Sequence, residues 1–161
     1  MLEFTHFDAQ GNAAMVDVSQ KAKNARRAVA VGKIKMSSEC FEAVREGNVK
    51  KGDVLGVARV AGIMAAKQTS ALIPLCHTLS IEHASVDFSF IDEQCAIRAS
   101  CSVKTTGATG VEMEALTGVT MALLTVYDMC KAIDKSMELD GIYLLEKTGG
   151  KSGDYKNEKR D

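Results

Sequence analysis

Tryptophan is absent from this chain, proline occurs once, and aromatics are limited to five Phe and three Tyr. With so little aromatic area available, the core must close on Ala, Val, Leu, Ile and Met. No run of about 18 uninterrupted apolar residues exists, so no membrane span is expected. The N-terminus also lacks a basic segment followed by an apolar run, so no signal peptide is expected. Neither sign of charge dominates: a quarter of the residues are charged, yet the net charge is −1. That balance lacks the basic excess of general nucleic-acid and membrane-surface binders, and neither partner is expected. The five cysteines, Cys40, Cys76, Cys95, Cys101 and Cys130, are odd in number and contain no Cys-x-x-Cys pair. They read as reduced thiols of a cytoplasmic protein, not as a disulfide framework.

At 161 residues the chain fits one domain, 1–161, with enough length to bury a core. A polar lead-in (1–12) ends at Gly11-Asn12, and residues 13–18 suit a short strand. The basic group Lys21, Lys23, Arg26 and Arg27 precedes an alternating run, 28–36, that predicts a strand. Ser37 or Ser38 caps a short helix to about Glu46, which Gly47-Asn48 ends. Asp53 caps the next helix, predicted to reach Leu72 before Pro74 stops it. Its Ala58, Ala61, Gly62, Ala65 and Ala66 leave so little bulk that another element must pack close. Residues 81–91 and 95–105 alternate in polarity around Asp92-Glu93 and predict an antiparallel hairpin. A helix from Val111 follows, then a strand over 139–145 and a flexible Gly/Lys-rich tail, 147–161. Strands interleaved with helices, several joined as hairpins, predict an α+β fold with the helices on one sheet face.

The final helix carries the strongest chemical signal. Leu116, Val119, Leu123, Val126, Cys130 and Ile133 recur at helical spacing, and Asp128 and Lys131 stand one turn apart among them. Charge beside an apolar stripe costs free energy unless it is paired or used. At the other end Glu112-Met113-Glu114 opens the helix, where carboxylates also suit the helix dipole. Glu114 and Asp128 are separated by roughly 21 Å along the axis, so one small ligand cannot reach both within one helix. If both ends work, either two subunits share a site or two sites exist.

Other motifs divide between chemistry and scaffold. Lys50-Lys51 on a glycine-flanked loop reads as a solvated turn or as a lysine approaching a substrate. Residues 21–27 read as solvated surface or as a phosphate contact. Cys76 reads as a buried structural thiol, whereas His77, at a helix-to-strand corner, reads as a substrate contact. No set of ligands at zinc spacing accompanies them, so no metal site is assigned. Gly149-Gly150-Lys151-Ser152-Gly153-Asp154 is not a nucleotide P-loop, because Leu145 occupies the position of its first glycine and no helix follows. A loop closing over an anion and a frayed tail both remain open for it.

Taken together these stretches resemble the MoaC family over essentially the whole chain. The resemblance rests on Thr5-His6, Met15-Val16-Asp17-Val18, Lys51-Gly52-Asp53, Ile73-Pro74-Leu75-Cys76-His77, Thr105 to Gly107, and Gly110-Val111-Glu112-Met113-Glu114-Ala115-Leu116-Thr117. Tyr127-Asp128-Met129-Cys130-Lys131 and the Gly149 to Asp154 loop complete it. One departure is Thr78, where the family usually has proline, an exchange expected to loosen the loop around His77. The resemblance implies a ferredoxin-like antiparallel sheet with helices on one face, and a homohexamer built as a trimer of dimers. It implies a lyase that turns 3′,8-cyclo-7,8-dihydroguanosine 5′-triphosphate into cyclic pyranopterin monophosphate and diphosphate, for molybdenum cofactor biosynthesis. Asp128, Lys51 and Lys131 then match acid–base residues, Leu75, Cys76, His77, Met113 and Glu114 match substrate contacts, and Glu112 beside them is a further candidate. Lys21, Arg26, Lys147 and Lys151 are candidates for the triphosphate. No resident cofactor is required, and Mg²⁺ is compatible with the triphosphate. The rival readings are a non-catalytic oligomeric small-molecule-binding protein and, less supported, a thiol redox protein.

Overall fold

The central strand, β1 (Asn24–Lys35), alternates so that Ala28, Ala30 and Ile34 turn to one side, all fully buried. The computed structural model describes residues 6, 10–151 and 153–158; Thr5 and Ser152 of the motifs above lie outside the described residues. β1 is followed by helices α1 (Ser38–Arg45), α2 (Val54–Lys67) and α3 (Thr69–Leu72). A hairpin comes next, β2 (His83–Ile91) and β3 (Ala96–Gly107), then helix α4 (Glu112–Cys130) and strands β4 (Glu138–Thr148) and β5 (Tyr155–Lys156). The sheet order is β2-β3-β1-β4-β5, and every pairing is antiparallel. The sequence β-α-β-β-α-β with this order is the ferredoxin-like α+β arrangement. The core lies where Ile97, Ala99, Cys101 and Val103 of β3 meet Ala115, Val119, Leu123 and Val126 of α4.

The small residues of α2 have a partner, and it is α4. A Cβ added at Gly62 would lie 2.8 Å from the Gly118 carbonyl oxygen and 3.1 Å from Ala122 Cβ. One added at Gly118 would meet Cys101 Sγ of β3 at 2.5 Å. The two backbones therefore approach as only glycine permits, and α4 is pressed onto the sheet along its middle.

Among the described residues, side-chain caps start two of the four α-helices. Ser37 accepts from Cys40 N and begins α1, and Asp53 accepts from Gly56 N and begins α2. Four sequence expectations are corrected. Residues 13–18 form no strand, only a bridge at Ala13. α2 ends at Lys67: Gln68, at φ −107° and ψ 10°, leaves the helical path with its amide on the Ala65 carbonyl, and the separate turn α3 covers Thr69–Leu72. Ile133 lies beyond α4 and is exposed. The tail turns back at Gly149 and Gly150, both at positive φ, and residues 155–156 pair with β4.

Candidate active site

Asp128 sits in the last turn of α4 and is held between two lysines. Lys131, the C-cap residue, donates from Nζ to Asp128 Oδ1 at 2.6 Å. Lys51 arrives from the loop between α1 and α2. Its Nζ donates to the Asp128 carbonyl oxygen at 2.9 Å and reaches Oδ2 at 3.4 Å. The hydrogen bond and charge of Lys131, then those of Lys51, hold the Asp128 carboxyl below the usual carboxylate range. Asp128 in turn raises Lys131, which stays an ammonium well past neutral pH. All three side chains are about half exposed, so the cluster faces open space.

The opposite end of α4 borders a cleft of about 300 Å³. Leu75, Cys76 and His77 come to it from the corner after α3, and Glu112, Met113 and Glu114 from the first turn of α4. Lys21, Val16 and Val18 close it from the N-terminal segment. His77 Nε2 lies 2.8 Å from the Val16 carbonyl oxygen, which fixes its ring across the cleft. Glu114 is 5% exposed, and burial raises its pKa above the ordinary carboxylate value. Burial also pushes the Cys76 thiol up, with the Glu114 charge adding to it, which argues against a thiolate nucleophile. Thr78 Oγ1 donates to Ser70 Oγ at 3.3 Å, a tie to α3 that proline could not make.

Cations cluster beside this cleft. Lys147 Nζ donates to Glu112 Oε1 at 2.8 Å. Arg26 donates from Nε to the Gly107 carbonyl at 3.0 Å and from Nη2 to that of Ala108 at 3.1 Å. A Cβ at Gly149 or Gly150 would collide with Ala25 or Arg26, so the glycine loop lies against β1 beside these cations. Exposed Lys151 follows on that loop.

The candidate residues thus form two groups. Lys21, Leu75, Cys76, His77, Glu112, Met113 and Glu114 share the cleft, with Arg26, Lys147 and Lys151 on its flank. Lys51, Asp128 and Lys131 stand at the far end of α4, roughly 21 Å away along the helix axis. One protomer does not bring the two groups together. Val16, Val18 and Leu79 also line the cleft and had no assigned role from the sequence; Val16 and Val18 were legible only as part of a matching block.

Comparison with known proteins agrees along the whole chain. The MoaC family model matches residues 15–150. A protein of Clostridium botulinum (strain Alaska E43 / Type E3) is 59% identical over 156 residues, covering 97% of this chain and 98% of its own. One of Natranaerobius thermophilus is 54% identical over the same share of each chain. One of Bacillus licheniformis is 52% identical, covering 100% of this chain and 97% of its own. All three bear the name cyclic pyranopterin monophosphate synthase.

Proposed function

This chain belongs to the MoaC family, and from that premise we propose that it is a cyclic pyranopterin monophosphate synthase. It acts as a lyase on 3′,8-cyclo-7,8-dihydroguanosine 5′-triphosphate, forming cyclic pyranopterin monophosphate and diphosphate for molybdenum cofactor biosynthesis. The observation that carries the mechanism is the convergence of Lys51 and Lys131 on Asp128. Rebuilding a purine-derived ring and closing a cyclic phosphate require several proton transfers, which positioned acids and bases accelerate.

Asp128 orients both ammonium groups and keeps Lys131 protonated, so Lys131 begins the cycle as a proton donor. Lys51, anchored through the Asp128 carbonyl, stands ready to relay a proton on the other side of the carboxylate. In the cleft, His77 and Glu114 contact the heterocycle, Glu114 from a buried position that raises its carboxyl above the ordinary carboxylate value. Lys21, Arg26, Lys147 and Lys151 hold the triphosphate and stabilise the departing diphosphate. No resident cofactor is invoked, and Mg²⁺ enters only as a companion of the triphosphate.

Since one helix separates the two groups, the working site combines the cleft of one protomer with the Lys51–Asp128–Lys131 cluster of another. A homohexamer arranged as a trimer of dimers supplies that pairing, and the cytoplasm suits its reduced thiols. A purely binding protein would need the cleft but not two lysines aimed at one carboxylate. Incubating purified protein with the cyclic triphosphate, with and without EDTA, tests the proposal. Pterin product and diphosphate in equal amounts are expected; ligand binding with neither product would favour the binding protein.

A further inference from the structure

We propose that Asp134 is a positioning residue for the Lys51–Asp128–Lys131 cluster, clamping the turn after α4 to the start of the helix that leads to Lys51. This inference deepens the synthase reading and rests on it for its kinetic test.

Asp134 is 8% exposed and charged, so its place in the interior needs compensation. It has three donors. Ser37 N, at the N-cap of α1, donates to Oδ2 at 2.7 Å. Ser136 donates to Oδ1 from its amide at 2.8 Å and from its hydroxyl at 2.6 Å. The Ser136 hydroxyl first, then the Ser37 and Ser136 amides, hold the carboxyl below the usual range, so it is ionised at neutral pH.

These bonds close a ring. From Asp128 and Lys131 the chain turns, with the Ile133 and Asp134 amides donating to the Cys130 carbonyl. Tyr127 OH donates to the Lys135 carbonyl and holds the same turn. Asp134 then crosses to Ser37. α1 runs on to the loop that carries Lys51, and Lys51 returns to Asp128. The ring has two non-covalent closures of unequal strength. The Lys51–Asp128 contact is half exposed and weak. The Asp134–Ser37 contact is partly buried, charge-assisted and directional. Elsewhere α1 leans on the core through Cys40, Phe41 and Val44, with Cys40 facing Cys130 of α4. Arg45 and Phe41 tie α1 to the β2–β3 hairpin, through Asp92 and the Phe90 ring, and not to the turn after α4. The carboxylate of Asp134 therefore fixes α1 along α4, and with it the place from which Lys51 reaches Asp128.

Asp134→Asn is the sharp test, because a carboxamide presents one oxygen and one NH₂ where three donors converge, so a donor must face a donor. At a temperature where the variant is folded, kcat is expected to fall about 10- to 100-fold with KM within about twofold of wild type. A structural role alone would lower Tm and leave kcat per folded enzyme unchanged, and that result would overturn the proposal. A crystal structure of Asp134→Asn gives a reading independent of activity: Lys51 Nζ is expected to leave the Asp128 carbonyl, 2.9 Å away here. Retention of that contact would overturn the positioning role even if kcat fell. Should Asp134→Asn not fold, Ser136→Ala removes one donor of three, and a smaller kcat loss at constant KM is expected from it; unchanged kcat would count against the clamp. Wild-type protein with no synthase activity would refute the functional reading alone, leaving the crystal structure to decide on Asp134.

Discussion

At the scale of single residues, the cluster at Asp128 and the carboxyl of Glu114 depend on opposite physics. Asp128 is exposed and kept ionised by two cations, whereas Glu114 is buried and disfavours its charge. Replacing Lys51 or Lys131 by alanine is expected to lower turnover about 10²- to 10⁴-fold, the usual range for a lost acid or base. Because both side chains are half exposed, Tm and the far-UV spectrum should hardly change; turnover near wild type in either variant would remove that lysine from the mechanism. Glu114 has a folded pKa raised above its unfolded value, so the folded state binds its proton more tightly. Its contribution to stability is therefore best at low pH and worsens as pH climbs from the ordinary carboxylate value through the raised one. Glu114→Gln should accordingly melt higher than wild type at pH 7, with the difference shrinking as pH falls from the raised value to the ordinary carboxylate one and gone below about 4. A lower Tm at pH 7 would show that the buried charge has a partner. The Asp128–Lys131 pair was readable in the sequence since three residues on a helix are neighbours by geometry. Lys51 was not readable that way: 77 positions separate it from Asp128, and the loop chemistry offered Lys50-Lys51 as a pair, from which only the resemblance to a family singled out Lys51.

At the scale of elements, α4 organises the molecule. It is squeezed between the sheet and α2, and the Gly62–Gly118 crossing sets its depth. Gly118→Ala would drive a methyl into the fully buried Cys101 thiol and toward the α2 backbone, which cannot rotate away. A loss of about 1–3 kcal/mol is expected from such overpacking, read as a lower denaturation midpoint at unchanged m-value. Wild-type stability would mean that α2 and α4 can separate without cost. The run of alanines in α2 foretold a close neighbour but not which one, because small residues announce room and carry no address. The early end of α2 escaped notice for a different reason. Its periodicity continues through Leu72, and α3 follows it, so a break confined to Gln68 leaves no mark in the pattern. The hairpin and both N-caps, by contrast, rest on local residue chemistry and were legible, with strand ends within about two residues and the first cap narrowed to Ser37 or Ser38.

At the scale of the whole molecule, the length of α4 becomes the argument. A nineteen-residue helix puts its two functional ends too far apart for one small substrate, and the chain does not bend to reunite them. A composite site between protomers resolves this, and subunit mixing can expose it. His77→Ala damages the cleft and Lys131→Ala damages the lysine cluster, so each homo-oligomer should be nearly inactive. After unfolding and refolding the two together, a site with an intact cleft from one variant and an intact cluster from the other should arise in about a quarter of the combinations. Recovery of turnover to that level would require the site to cross a subunit boundary. If each protomer worked alone, every site in the mixture would carry one lesion and no activity would return. The refolded mixture must show the same assembled size by light scattering as wild type, so that silence reports on the site and not on failed assembly.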